Sequence, residues 1–376
     1  MLTLIKNATV YSPKALGEKD ILIGGEKILE LVDSIELNSN LKVEIIDAED
    51  YIVVPGFIDS HVHITGGGGE GGYSTRTPEI FASKIVSSGI TTVVGVLGTD
   101  NATRSMQNLI AKAKALKQEG ISCYTYTGSY HFPIKTFTGR IIDDLVFIEE
   151  IIGVGEVAIS DHRGSQPTLE ELIRLTSEAR VGGILSKKAG IVNIHVGRGE
   201  KFIQILIDVV ENSELPITQF LPTHMNKGEK ALQTCKNFIE MGGRIDFTTS
   251  SSKKKDKEDP SKPSKALKLL LEDGVNIDNI SFSSDGQGSL PQFDDKGNYL
   301  GLTVADVATL FEEVKDCVLQ QDIPLEEALK VITINPANFL KLENKGQIKE
   351  NFDADIVFLD KSNLEIKKVM AKGRTI

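Results

Sequence analysis

The chain has 376 residues, which allows two or three domains or one barrel with additions. Hydrophobic residues make up 40% and charged residues 25%, which excludes a disordered, collagen-like or coiled-coil protein. Lys and Arg total 42 against 53 Asp and Glu, a net charge of −11, so phosphate repulsion argues against general nucleic-acid binding.

The opening segment, MLTLIKNATVYS, lacks the basic stretch, apolar run and small-residue cleavage site of a signal peptide. Apolar runs such as 90–97 fall far short of the ~20 residues a membrane helix needs. Cys123, Cys235 and Cys317 lie far apart with no C-x-x-C pair, which predicts buried, inert thiols in a reducing compartment. The expectation is a cytoplasmic protein without membrane or nucleic-acid partners.

Residues 1–55 read as short strands at 2–5, 20–23, 28–32, 43–46 and 51–54, apolar or alternating and separated by Gly, Asn, Asp or Lys. The pattern then becomes strand, helix, strand, helix. Strands are expected at 57–63, 91–97, 122–127, 154–159, 191–196, 217–221, 244–248 and 280–284. Helices are expected at 79–88, 105–118, 169–184, 201–212, 229–241 and 264–272, with Pro78 suited to a first turn and Gly89 to a stop. Eight strands with helical crossovers predict an α/β protein built on a (β/α)8 TIM-like barrel. Residues 354–359 and 366–371 return to strand character. They predict a small β domain from both termini, 1–55 plus 345–376, around a barrel spanning 56–344. Two stretches interrupt the rhythm and read as long surface loops: GGGGEGG at 66–72 and the polar SSSKKKDKEDPSKP at 250–263. The glycine run is neither phosphate-loop type, and Glu70 within it would repel phosphate.

The chemistry lies in six histidines. His61 and His63 are two apart on the first barrel strand, so both face the same side. His195 ends the fifth strand, His224 follows the sixth, and Asp285 ends the eighth. Strand ends of such a barrel converge on one mouth, and imidazoles with a carboxylate there suit zinc and similar divalent ions. One histidine at a strand end is more often structural than a ligand, and His131 and His162 fit that description. Five such residues at matching ends make a metal site.

Pro55-Gly56-Phe57-Ile58-Asp59-Ser60-His61-Val62-His63 resembles the opening motif of the amidohydrolase superfamily. Thr127-Gly128-Ser129-Tyr130-His131, Ser160-Asp161-His162-Arg163, Pro222-Thr223-His224 and Ser283-Ser284-Asp285-Gly286 resemble the isoaspartyl (β-aspartyl) dipeptidases. The resemblance runs along the whole chain. It implies hydrolysis of β-aspartyl dipeptides, small zwitterions, by a hydroxide held between two divalent ions, zinc foremost. It places His61, His63 and Asp285 on one metal and His195 and His224 on the other. Asp285 would also shuttle the proton, and Tyr130 would donate to the developing oxyanion. Glu70 would hold the substrate ammonium, Arg163 and Ser289 its carboxylates, and Thr99 would line the pocket. A homo-oligomer, an octamer among the possibilities, is also implied.

Two departures stand out. The family's bridging carbamylated lysine corresponds to Glu156 in Val154-Gly155-Glu156-Val157. Glutamate offers the same two oxygens on a shorter stem, and Gly155 permits a closer backbone approach. A single-metal site with Glu156 merely buried is the alternative. Lys227 stands where the dipeptidases carry a second carboxylate-binding arginine, keeping the charge and losing the fork. These departures leave open another amidohydrolase, either a cyclic amidase of the dihydroorotase or hydantoinase kind or a D-aminoacylase. A metal-free scaffold is a third reading.

Overall fold

The structure is a computed structural model that describes residues 2–36, 42–250, 255–294, 296 and 299–375. The alternating N-terminal sequence forms β1 (Leu2–Tyr11), β2 (Ala15–Gly24), β3 (Lys27–Val32), β4 (Val43–Asp47) and β5 (Tyr51–Pro55). β1 pairs antiparallel with β2 and parallel with β4 and β5. The first two strands are longer than expected: past a bulge at Lys6 and Asn7 their ladder resumes at Ala8, with polar Lys19 and Glu18 of β2 paired to Ala8 and Thr9.

The barrel follows as β6 (Phe57–Val62), α1 (Ala82–Ser87), β7 (Ile90–Gly95), α2 (Met106–Gln118), β8 (Ser122–Thr127), α3 (Ile141–Phe147), β9 (Ile151–Ile159) and α4 (Leu169–Ser186). It continues with β10 (Ile191–Val196), α5 (Gln204–Glu211), β11 (Phe220–Thr223), α6 (Glu229–Glu240), β12 (Ile245–Thr248), α7 (Pro263–Glu272) and β13 (Ile280–Ser283). β6 to β11 form one parallel sheet in chain order, and β12 pairs with β13. The Met225 N–H donates to the Asp246 carbonyl at 3.2 Å and joins the two sheets. The ring closes where Val62 bridges Gly286 and the His63 N–H donates to the Gly286 carbonyl at 2.9 Å. β9 and β10 are buried throughout, as strands covered on both faces must be. Caps fix the helix starts. Ser105 accepts from the Asn108 N–H ahead of α2, and Thr168 with Glu171 forms a reciprocal capping box on α4.

Several expectations shift. The sixth barrel strand lies at Phe220–Thr223, because Ile217–Gln219 after Pro216 tightens into a 3-10 turn. This moves His224 to the first position beyond the strand. The short α3 and the hairpin of β14 (Ser289–Phe293) and β15 (Tyr299–Val304) were not foreseen. Nor were α8 (Thr309–Leu319), α9 (Leu325–Ala328) and α10 (Ile334–Phe339), which follow the last barrel strand. The glycine run is no surface loop at its start: Gly66, Gly67 and Gly68 are buried. Of the polar loop at 250–263, residues 251–254 lie outside the described residues.

β16 (Ile356–Asp360), β17 (Ile366–Ala371) and β18 (Arg374–Thr375) return to the N-terminal sheet, giving the order β18-β17-β16-β5-β1-β2-β3 with β4 on β1. Its core of Ile5, Val10, Ile21, Ile23, Val53, Ile356 and Phe358 is separate from the barrel core. Buried Lys345 ties the two, pairing with Asp353 at 2.7 Å and with Asp355, and donating to Ser122 Oγ of β8 at 2.7 Å.

Candidate metal centre and substrate cavity

The mouth of the barrel at the strand C-termini gathers the residues singled out from the sequence. His61 points inward from β6 and His63 from the first position past it. His61 Nε2 lies 3.2 Å from Glu156 Oε2 and 3.7 Å from Asp285 Oδ1, and His63 Nε2 lies 3.0 Å from Asp285 Oδ1. The Glu156 carboxylate is central. Besides His61 it faces His63 Nε2 at 3.6 Å, His195 Nδ1 at 3.3 Å and His224 Nε2 at 3.9 Å. Backbone shape contributes. Asp285 (φ 53) and His224 (φ 63) sit in the left-handed region, so the chain turns sharply just after β13 and β11 and folds these side chains over the barrel axis. Gly155 lets β9 approach β10: a Cβ there would stand 2.8 Å from Asn193 Cβ and 2.9 Å from the Asn193 carbonyl oxygen.

The donors fit divalent cations. Both ring nitrogens of His61, Nδ1 of His63 and both Glu156 oxygens are buried without a hydrogen-bond partner. Such orphaned groups are costly unless a cation takes them. Two sets lie close enough to share an ion: His61, His63 and Asp285, and His61, Glu156 and His224. His195 stands outside these sets, with Nδ1 toward Glu156. Burial disfavours a charged His61, yet the Glu156 carboxylate overrides this and lifts it to about 9. Burial, with His195 nearby, pushes His224 down to about 4. Glu156 itself is held well below the usual range: burial opposes its charge, and the surrounding imidazoles outweigh burial.

Above the cluster opens a cavity of about 850 Å³ lined by Glu70, Thr99, Tyr130, Arg163, Lys227 and Ser289 together with the exposed faces of the cluster. The Tyr130 hydroxyl, buried, donates to His195 Nδ1 at 2.7 Å. Glu70 Oε1 accepts from Thr99 Oγ1 at 2.7 Å and from Arg163 Nη1 at 3.2 Å. Ser289 Oγ donates to the Thr75 carbonyl at 3.1 Å. The Lys227 ammonium donates to the carbonyls of Val196 and of Gly197, the latter at 2.9 Å. Every residue expected at the site is therefore at the cavity or its floor. His131 is not: its Nε2 donates to the Arg163 carbonyl at 2.9 Å, a structural role, whereas His162 is exposed on the rim.

Three residues were missed. Asp161 accepts from His195 Nε2 at 3.0 Å and from Arg163 Nη2 at 2.7 Å. Arg198 lines the cavity near Lys227 and supplies a second guanidinium where only a lysine was expected. Buried Arg104 donates to the carbonyls of Thr65, Gly67, Gly68 and Thr77 and pairs with Asp100 at 3.0 Å, which pins the loop carrying Glu70. An arginine nine residues past the end of β7 carries no sequence signal of that duty. Asp161, beside Arg163 in a strand-end motif, was open to notice.

The amidohydrolase family profile matches residues 52–376. The β-aspartyl dipeptidase of Fervidobacterium islandicum, solved with β-Asp-Leu, superposes with a TM-score of 0.92 at 47% identity, covering 100% of this chain and 96% of that one. A second structure of the same organism's enzyme gives 0.91 at 44% identity, with coverage of 100% and 96%. Among curated proteins, the dihydroorotase of Lactobacillus gasseri is 24% identical over 100% of this chain and 93% of its own length. Among the described residues no helix is long and apolar enough to cross a membrane. The catalytic reading of the barrel mouth thus displaces the scaffold alternative: the chain belongs to the amidohydrolase family and is a hydrolase.

Proposed function

We propose that this protein hydrolyses β-aspartyl dipeptides, using two divalent cations, zinc first among them. His61, His63 and Asp285 would hold one, His195 and His224 the other, and Glu156 would be shared. Bound there, the cations supply Lewis acidity, polarising a carbonyl and bringing the pKa of a water towards ~7. Asp285 would take a proton from the attacking water and return it to the leaving amine as the C–N bond breaks. The Tyr130 hydroxyl donates to the carbonyl oxygen as negative charge develops there. Lys227 and Arg198 attract the carboxylate of the leaving residue, and Ser289 and Thr99 shape the remaining wall.

The observation that carries the substrate is the contact of Glu70 with Arg163 at 3.2 Å in the cavity beside the cluster. An anion and a cation that close match an ammonium and a carboxylate on one carbon. A β-linked aspartate presents both on its Cα. An α-linked aspartate separates them, because its α-carboxyl is in the peptide bond. The 47% identical relative crystallised with β-Asp-Leu supports the same reading. Zinc-loaded protein incubated with β-Asp-Leu or α-Asp-Leu, with amine release followed, tests it. Faster cleavage of the β-linked peptide is expected, and equal rates would refute it. The full-length similarity to dihydroorotases at 24% identity motivates a second reading, cyclic amide hydrolysis. Ring opening of dihydroorotate faster than dipeptide cleavage would favour it.

The sheet made from both chain ends supports a division into 1–55 plus 345–376 and a barrel of 56–344. The three buried free thiols accord with a cytoplasmic protein. A homo-oligomer, as large as an octamer, completes the proposal.

A further inference from the structure

Asp161 lies just past the end of β9, two residues before Arg163 and beside the ring of His195. Its carboxylate has four donors. Oδ1 accepts from the Arg163 backbone N–H at 2.8 Å and from Arg163 Nε at 3.0 Å. Oδ2 accepts from Arg163 Nη2 at 2.7 Å and from His195 Nε2 at 3.0 Å. A carboxylate accepts only, so a neutral His195 carries its proton on Nε2 and turns the Nδ1 lone pair inward, 3.3 Å from Glu156 Oε2. The same carboxylate grips the guanidinium by Nε and Nη2, the planar fork that suits a carboxylate. That leaves Nη1 toward Glu70 Oε1 at 3.2 Å. Arg163 is held from its other sides as well. Its Cζ lies 5.5 Å from the centre of the Tyr130 ring, and its carbonyl accepts from His131.

We propose that Asp161 is a positioning residue that fixes the tautomer and orientation of His195 and the plane of Arg163 through one carboxylate, joining metal binding to substrate binding. The substrate half rests on the dipeptidase reading. The metal half does not. Outer partners of metal-facing histidines typically change affinity by ~10–100-fold when removed. An amide at 161 has one accepting oxygen and would present its NH2 to one of two donors, so both partners cannot be satisfied.

The test compares Asp161→Asn, Arg163→Met and the double variant, each titrated with zinc against a chelating fluorophore and assayed on β-Asp-Leu. Asp161→Asn is expected to weaken zinc binding by ~10–100-fold and to raise KM by roughly tenfold. Arg163→Met should raise KM and leave zinc affinity within about twofold. In the double variant KM should not exceed that of Arg163→Met, because Asp161 then has no guanidinium to place. Wild-type zinc affinity in Asp161→Asn, or KM effects that multiply in the double variant, would overturn the proposal. Should Asp161→Asn fail to fold by circular dichroism, Asp161→Ser carries the same two readouts, and failure of both to fold would mark a purely structural residue and also overturn it. If the wild-type protein does not cleave β-Asp-Leu, the proposed function fails with the substrate half, while the zinc titration still decides the His195 half.

Discussion

Glu156→Gln isolates the carboxylate on which the metal reading depends. The substitution preserves volume and removes a charge that is 1% exposed and faces imidazole nitrogens at 3.2, 3.3, 3.6 and 3.9 Å. At an effective dielectric of ~20, unit charges ~4 Å apart interact by about 4 kcal/mol, and a divalent ion doubles the gross figure. Desolvation offsets part of this, and breaking one partner of a buried pair costs about 3–5 kcal/mol. That is a loss of roughly two to three and a half orders of magnitude in metal affinity. The assay is metal content per chain after dialysis, together with the rise in melting temperature on adding zinc. Wild-type protein should retain metal and gain stability by mass action, and Glu156→Gln should do neither at micromolar zinc. A variant that holds as much metal as wild type and shows the same zinc-dependent melting shift would refute the assignment of Glu156 as shared ligand. A second arm is independent of mutation. A carboxylate supplied by the side chain itself needs no carbon dioxide, so bicarbonate depletion should leave activity unchanged. Activity that disappears on depletion and returns with bicarbonate would place a carbamate, and not Glu156, between the cations.

Asp285→Asn should fold normally and lose ~10²–10⁴-fold in kcat on β-Asp-Leu, the range typical of a lost proton-transfer group; an unchanged kcat would remove it as the shuttle. Burial, with Arg198 adding repulsion, lowers Lys227 from 10.5 to about 8. Between those values the unfolded chain binds a proton that the folded chain lacks, so this residue's contribution to stability rises with pH across that window. Its hold on a carboxylate fades over the same range, and KM should climb above pH 8. The substrate amine titrates there too, so the informative quantity is the KM ratio of wild type to Lys227→Arg. It should grow several-fold from pH 7 to 9.5, and a flat ratio would exclude Lys227 from the carboxylate site. Gly155→Ala places a methyl 2.8 Å from Asn193 Cβ and 2.9 Å from its backbone oxygen, and overpacking of this kind costs ~1–3 kcal/mol, read as a lower midpoint in urea.

The barrel and the cluster were legible in the sequence for different reasons than those that hid the rest. His61 and His63 follow from strand periodicity alone, and Asp285 and His224 from their places at strand ends, because a closed parallel barrel leaves such ends one direction in which to converge. The helices were legible where they are long and alternate with strands, as in α2 and α4. They were not where the segment is a turn or two long, as in α3, or where helices follow the last barrel strand and lack a strand to alternate with, as in α8 to α10. The displaced sixth strand shows the limit of pattern reading: Ile217 is apolar and β-branched, yet Pro216 removes a ladder donor and the chain tightens before pairing begins at Phe220. What the sequence hid at the site was the scaffolding of charge. Glu70 was implied by the family resemblance and lies on a glycine run read as a surface loop, but the base of that run is buried, and the loop stands because the Arg104 guanidinium satisfies four of the surrounding carbonyls. A contact of that kind joins residues 36 to 39 positions apart for three of its bonds and leaves no periodic trace. The same holds for Asp161 and His195, 34 positions apart. Residues that touch substrate or cation cluster at strand ends and announce themselves by type. Residues that aim them depend on which loops meet above the barrel, and only the folded chain determines that.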